Sequence, residues 1–564
     1  MKKFRIGSYI WGAVVALIFV ALALFIFSIA INVHNIVLWL LVALGLFVFV
    51  FVSRKIQGYD DLKDTGAYIL KDFKSNKKKK ENKKQINKGF TFKNYFLPAI
   101  LLVIIVVIVF SGSTLLNSKA YSKILTVTDS DFSTDLSETV GTDSIALMDT
   151  ASARMLGDRE IGSLSDVVSQ FNVSYDYTQI DFNGKPIKVS ALEYADFFKW
   201  LNNKHNGVKG YVTVDPVSMS ASFEKCDGMK YVPSAFLLED ARRYMWMKYP
   251  TLMLNNLHFE IDEKGNPYYV ASIEKKSISL FSGTTVSGCV ILDPVTGETQ
   301  KYELKDIPRW VDVVFNGDLI CEQYDWYGMY QNGFFNSLFA KKGCKQITTY
   351  SSSDESDDAT PVSDYGYISK DGDIWIYTGV TSVNGDSSNI GFVLANERTG
   401  ESRYYAIAGA DEKSAMAAAE GEVQEKGYQA SFPSLINIDG CPTYIMVLKD
   451  SGGLVKLYAT VNVEQYNIVT TASTQAECIA KYKSLIGISD SDLPSTQTQT
   501  VTITISSIKY IDINGNTFIY LIDTDDNIYK AQASTHEEML LLNEGDTVEL
   551  TCSDSKIVSC SLVQ

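Results

Sequence analysis

Three apolar runs, residues 10–31, 36–52 and 96–116, contain no Asp, Glu, Lys or Arg. Each crosses, or nearly crosses, about 30 Å of hydrocarbon at a helical rise of about 1.5 Å per residue. Backbone amides inside lipid must be satisfied within their own segment, which a helix does. The runs therefore predict three transmembrane helices. Only Asn32, Val33, His34 and Asn35 separate the first two, so residues 1–53 should form a tight helical hairpin with His34 as a solvated turn residue. The opening Met1-Lys2-Lys3-Phe4-Arg5 is like the charged head of a signal peptide. The apolar run behind it is too long for a cleaved core and a second run follows at once, so it reads as retained.

Charge sets the orientation. Residues 1–95 hold 16 Lys/Arg against 5 Asp/Glu, a net +11, so the remainder carries −26 of the total −15. Lys2, Lys3 and Arg5 precede the first run, and thirteen Lys/Arg, including Lys77–Lys80, fill the loop 54–95. The positive-inside rule puts both on the cytoplasmic side. The third span, 96–117, then exports everything beyond it. The lysine run reads as a topology signal in a solvated loop. The spans lack ionisable groups, which disfavours ion or proton transport. The acidic exterior repels phosphate, so nucleic acid is excluded as a partner.

The exported part reads as α+β. A polar stretch, 118–145, suggests a stalk. Asn183-Gly184 signals a hairpin turn between strands at 175–180 and 186–189. Apolar spacing then predicts a helix over 191–202 burying Leu192, Phe197, Phe198 and Leu201, and another over 235–248 burying Phe236, Leu237, Tyr244 and Met247. Strands are expected at 258–262, 268–274, 287–292 and 300–304, and again at 432–438, 443–448 and 454–460 after a helix over 412–426. The turns Asp293-Pro294-Val295-Thr296-Gly297-Glu298 and Asn396-Glu397-Arg398-Thr399-Gly400-Glu401 repeat one pattern: a side-chain cap, then a Gly at positive φ. The expected unit is a helix laid on an antiparallel sheet, repeated over a first region, 118–310, and a second, 311–485.

The stretch 235–304 resembles the small PepSY-type module of bacterial envelope proteins, through Asp293, Pro294, Thr296, Gly297 and Glu298; the stretch 412–469 resembles it more weakly. The resemblance implies a non-enzymatic, peptide-contacting or regulatory module outside the membrane and brings no active site. The whole chain is similar in style to membrane-anchored envelope proteins of low-GC Gram-positive bacteria. After a Ser/Thr/Asp-rich linker, 486–499, residues 500–564 read as three strands, a short helix and two strands, the order of a small OB-like barrel.

Chemistry-bearing motifs are few. His34, His205, His258 and His536 show no metalloprotease spacing, and neither a Gly-x-Ser-x-Gly elbow nor a phosphate loop is present. The eight cysteines all lie in the exported part without a Cys-x-x-Cys, so no metal or cofactor is expected. Cys321 with Cys344, and Cys552 with Cys560, are close enough in sequence to consider as bridges. The aromatic segment 322–336 holds the candidate binding residues Tyr324, Trp326, Tyr327, Tyr330 and Phe334; rings beside amides and carboxylates suit a glycan or peptide. Glu322 and Asp325 can be posed as a glycosidase pair, and no catalytic residue is assigned. These observations lead to an expected membrane-anchored binding or regulatory protein of the envelope, no enzyme, contacting the lipid bilayer and a peptide, glycan or envelope protein. The alternatives are an accessory subunit of a secretion or transport complex, packing through Gly12, Ala13, Ala16 and Ala21, or a wall-acting hydrolase.

Overall fold

The computed structural model describes residues 2–72, 96–136, 147–162, 164–348, 365–383, 388–486, 499–513, 516–525, 527–533, 539, 541–553 and 556–562. The lysine run 77–80, most of the linker 486–499 and His536 lie outside them. The chain forms two compact units, Met1–Leu485 and Ile486–Gln564.

Among the described residues, α1 (Lys2–Phe27) and α2 (Ile36–Asp72) are long and apolar enough to cross a membrane. Helix α3 (Phe96–Ser111) is shorter and bends by 44° into α4 (Thr114–Tyr121). Small residues close the α1–α2 hairpin: a Cβ at Gly12 would sit 2.0 Å from Ser53 Oγ, and Ala16 is buried. Two of the four small residues expected to await a partner helix are thus used within the chain. Helix α1 stops four residues before its apolar run ends, at Ser28 with φ 49°, because the last residues serve the outer domain. The Ile31 amide donates to the Pro250 carbonyl at 2.7 Å, Trp246 Nε1 to Ile29 O at 2.8 Å, and Arg243 Nε to Phe25 O at 3.0 Å, capping the helix C-terminus with a cation. His34 is half-buried, with Nδ1 3.0 Å from the Leu280 carbonyl, so it docks the hairpin turn instead of facing solvent.

The expected stalk is part of the body. Strand β1 (Val127–Asp129) pairs in parallel with a later strand, α5 (Phe132–Asp135) buries Phe132, and Asp135 is held by Arg403 and Tyr405. Helices α6 (Thr150–Gly162) and α7 (Ser165–Val168) follow.

Four sheets succeed one another, antiparallel throughout except for the β1–β15 pair. The first holds β2 (Phe171–Val173), β3 (Thr178–Phe182), β4 (Lys185–Tyr194), β5 (Val208–Asp215) and β6 (Ser220–Met229), with α8 (Phe197–Asn203) after β4. After α9 (Ala241–Lys248) comes the second: β7 (Met253–Ile261), β8 (Pro267–Lys276), β9 (Thr284–Leu292) and β10 (Thr299–Glu303). Helix α10 (Gly317–Tyr330) leads to the third: β11 (Lys345–Ile347), β12 (Gly366–Lys370), β13 (Asp373–Ser382), β14 (Ser388–Asn396) and β15 (Ser402–Tyr405), with β16 (Gly409–Ala410) on β14 and β1 on β15. Helix α11 (Glu412–Gly421) precedes the fourth: β17 (Gln429–Ala430), β18 (Ser434–Ile438), β19 (Cys441–Lys449), β20 (Val455–Asn462) and β21 (Val469–Ala472), closed by α12 (Gln475–Leu485).

The sheets share one plan, the meander that propeller-like folds repeat. The first strand lies as two pieces along the second in the first, third and fourth sheets, and is interrupted by a bulge between Asn255 and His258 in the second. The turn after the third strand is capped by its own Asx residue each time. Asp215, Asp293, Asn396 and Asn462 accept backbone amides two or three residues ahead, at 2.7–3.1 Å. Gly297 and Gly400 take the positive φ, whereas Met219 carries it in the first sheet.

One hydrophobic core lies between the first and second sheets, one between the second and third with α10, and one between the third and fourth with α11. The sheets therefore pack on each other as well as on helices, and the expected repeat of one helix per sheet holds only in places. Helix α11 does cover the fourth sheet. The helix expected over 191–202 is instead β4 as far as Tyr194; the short α8, capped by Asp196, leaves Phe198 71% exposed. The helix expected over 235–248 is broken by Leu237 at φ 56°, and Asp240 caps α9 afresh. It buries Ala241 and Met245 and leaves Phe236, Leu237 and Met247 exposed. The second unit is a closed barrel of β22 (Gln499–Ile513), β23 (Asn516–Asp523), β24 (Ile528–Gln532), β26 (Lys556–Leu562) and β25 (Thr547–Ser553), in that order.

Candidate functional site

A cleft of about 1400 Å³ opens where the first strands of the first three sheets are interrupted. Its lining includes Tyr177 and Gln179 from the first sheet, Asn256 and His258 from the second, and Tyr365 and Tyr367 from the third. The cleft continues between the membrane helices, where Phe19, Leu22 and Ile26 of α1 face Leu40, Leu41 and Leu44 of α2. Bulges and strand breaks re-aim side chains out of a ladder, and here they open a space among sheets that are otherwise close-packed.

One buried carboxylate, Glu397, lines it, and two more, Glu260 and Asp312, contact or neighbour the lining residues His258 and Val313. Glu260, 0% exposed, accepts from the Asp312 amide at 2.9 Å and the Val313 amide at 3.0 Å, and its Oε1 is 2.7 Å from His258 Nε2. Asp312 accepts from the Asp181 amide at 2.8 Å. Burial, reinforced by the charge of Glu260, pushes the Asp312 carboxyl well above its ordinary range. Glu397 is 2% exposed and lines the cleft. Its backbone carbonyl takes the Val314 and Phe315 amides at 2.9 and 2.7 Å, and its carboxyl the Gly317 amide, but its Oε2 has no partner. Burial and then Glu260 push the Glu397 carboxyl well above the ordinary carboxylate range. Lys188, also 2% exposed, lies with Nζ 5.1 Å from the Tyr367 ring centre. Burial pulls its ammonium down to about 8 against the pull of Asp149 and Glu397.

None of the five aromatic candidates lines this cleft. They sit on or just beyond α10, which is N-capped by Asn316 through the Leu319 amide at 3.0 Å. Tyr324 is buried in the core 5.7 Å from the half-buried Tyr327. Trp326 meets Tyr121 edge-on at 4.8 Å and so joins α10 to α4. Tyr330 stacks on Phe334 at 6.4 Å. Asp325 accepts the Ile347 amide at 3.0 Å, and Glu322 points to solvent. The bridge considered between Cys321 and Cys344 is not formed: Cys344 is a free thiol 3.3 Å from Asn336 Nδ2. Burial pushes the Cys226 and Cys289 thiols up to about 12, which leaves them poor nucleophiles. Among the described residues no group of His, Cys, Asp and Glu is arranged to hold a metal ion.

No family model and no curated protein matches the chain. Among solved structures it has a slight likeness to a levansucrase from B. megaterium, at 10% identity over 77% of this chain and 97% of that one, TM-score 0.19. An exo-beta-1,3-galactanase from Phanerochaete chrysosporium matches at 8% identity over 69% and 66%, TM-score 0.17. Likenesses this slight carry nothing over to this chain.

Proposed function

We propose that this chain is a membrane-anchored extracytoplasmic binding or regulatory protein of the cell envelope, without catalytic turnover, and that the cleft is its binding site. The observation that carries this is the shared construction of the cleft: anchor helices and sheets each supply walls, so membrane attachment and binding are one device. In this reading α3 with α4 is the third span, the lysine-rich loop is cytoplasmic, and the sheets and barrel lie outside. The barrel, with its third strand parallel to its fifth, reads as an OB-like module. The absence of turnover is supported by the state of the carboxylates. Glu260 and Asp312 are both engaged by backbone amides, so neither is free to pair with Glu397 as an acid/base couple.

The test uses the full chain in detergent, immobilised and exposed to cell-wall fragments and solubilised envelope proteins, with retention and polymer release both followed. Retention without release, lost in Glu397→Ala, supports the reading. Release of cleaved fragments overturns it in favour of a hydrolase. The accessory-subunit reading is favoured by one observation, the exposed Phe335, Leu338 and Phe339 beyond α10. It expects their Ser variants to lose a co-purifying membrane protein while cleft binding persists.

A further inference from the structure

We infer that the cleft holds an amphiphile drawn from the outer leaflet, its chain between α1 and α2 and an uncharged, hydroxyl-bearing head at Glu397. This deepens the binding-protein reading and rests on it. The lining changes character along the cleft. Its membrane end presents Leu22, Ile26, Leu40 and Leu44, and offers nothing to a peptide or free glycan, whose polar groups would go unsatisfied there. An acyl chain has no such need.

The other end has an unmet one. Glu397 Oε2 is buried without a partner, on a residue that lines the cleft. Such an atom costs about 1–3 kcal/mol while unsatisfied, and a ligand hydroxyl is the group that would satisfy it. Two basic side chains of the lining are already engaged. Lys276 is 2.7 Å from Thr284 Oγ1 and 3.6 Å from Glu274, and Arg154 Nε donates to the Tyr175 carbonyl at 2.8 Å. The lining's three Lys and Arg side chains, Arg154, Arg242 and Lys276, are balanced in number by Asp176, Glu274 and Asp318 in the same lining. No cationic cluster awaits a phosphate, so a neutral head is favoured over an anionic one.

The mouth of the cleft also lies at the level of lipid. Beside the capped end of α1, Phe198 is 71% exposed and Leu237 61%, with Phe197, Phe236 and Leu238 around them. Phe197 meets Phe236 edge-on at 5.0 Å and Trp200 at 5.4 Å. An apolar, aromatic surface continuous with a spanning helix belongs in the interfacial layer of the membrane.

The experiment uses the full chain in nanodiscs and a glucosyl-diacylglycerol carrying a pyrene chain, read by energy transfer from Trp246, which lines the cleft. Saturable transfer is expected, displaced by unlabelled glucosyl-diacylglycerol and at least tenfold less well by phosphatidylglycerol. Ala23→Phe, which fills the membrane end without adding a tryptophan, should abolish it. Glu397→Ala should weaken displacement by the glucosyl lipid about tenfold, the loss of one buried hydrogen bond, and leave that by a 3-acetyl-1,2-diacylglycerol, which has no hydroxyl, unchanged. Absent or unsaturable transfer, or equal displacement by phosphatidylglycerol, overturns the inference. If transfer fails while the immobilised chain still retains an envelope partner, only the amphiphile is refuted; if both fail, the binding-protein reading falls with it.

Discussion

Replacing Glu260 by Ala tests whether the hub is held as described. Its carboxylate accepts two backbone amides, from Asp312 and Val313, and contacts the His258 ring, all with the side chain fully buried. Truncation leaves two buried N–H groups without acceptors, at about 1–3 kcal/mol each, and removes the imidazole's partner as well. The expected loss is about 4 kcal/mol, in the range reserved for broken buried networks. Glu260→Gln keeps the shape but turns an N–H₂ towards a donor, so about half that loss is expected. Urea unfolding of the full chain in micelles, followed by tryptophan fluorescence, reads both variants. Hydrogen exchange should show amides 312–315 opening first, since the carboxylate holds one end of that segment and the Glu397 carbonyl the other. A loss under about 1 kcal/mol for the Ala variant, with 312–315 still protected, would refute the argument that this carboxylate organises the wall of the cleft.

Three further outcomes are expected. Glu397 has a raised folded-state value, so above 4.5 the native chain binds more protons than the unfolded one and stability falls as pH rises towards that raised value; Glu397→Gln should match the parent near about pH 4 and exceed it near about pH 8 in thermal unfolding. Asp149 behaves oppositely. Burial pushes its carboxyl up, but the Lys449 ammonium and the Ser152 hydrogen bonds outweigh that and hold it below 3.8, so its contribution is present above 3.8 and lost as pH falls through the depressed value; Asp149→Asn should flatten the acid limb of a stability–pH profile. Arg243→Ala removes a cation from the α1 carbonyls at Phe25 and Ile26, worth about 2 kcal/mol, and should lower exchange protection of the Ile31 amide roughly thirtyfold, whereas unchanged protection would mean that Trp246 and Pro250 suffice.

What was legible depended on how many faces of an element are buried. Helices α1 and α2, long and apolar enough to cross a membrane, were readable as unbroken apolar runs, and the Asn183-Gly184 turn because both residues must take positive φ, 55° and 83° here. Central strands were harder. Strand β13, from Asp373, is buried on both faces and shows no alternation for a period-two pattern to detect. The reverse error arose at 191–202, where Leu192 belongs to a strand while Phe197, Phe198 and Leu201 are apolar without being core. An amphipathic reading assumes that apolar residues face the core, and for Phe198, 71% exposed, that assumption fails. The aromatic run on α10 misled in the opposite sense, since Tyr324 is core and Trp326 joins two helices.

The cleft was the least legible feature, and for a physical reason. Its walls come from interruptions in strands, and an interruption has no composition of its own. The local trace is Asn255-Asn256 within β7, with Asn256 at φ 50°. Glu397 was read as part of a turn because its neighbours Asn396 and Gly400 do form one. What distinguishes it is burial beside Glu260, on another sheet and far away in the chain. The repeated turn after the third strand was therefore evidence of more than mechanics. It recurs once per sheet, and the interrupted first strands of three of the four sheets line the cleft together with α1 and α2.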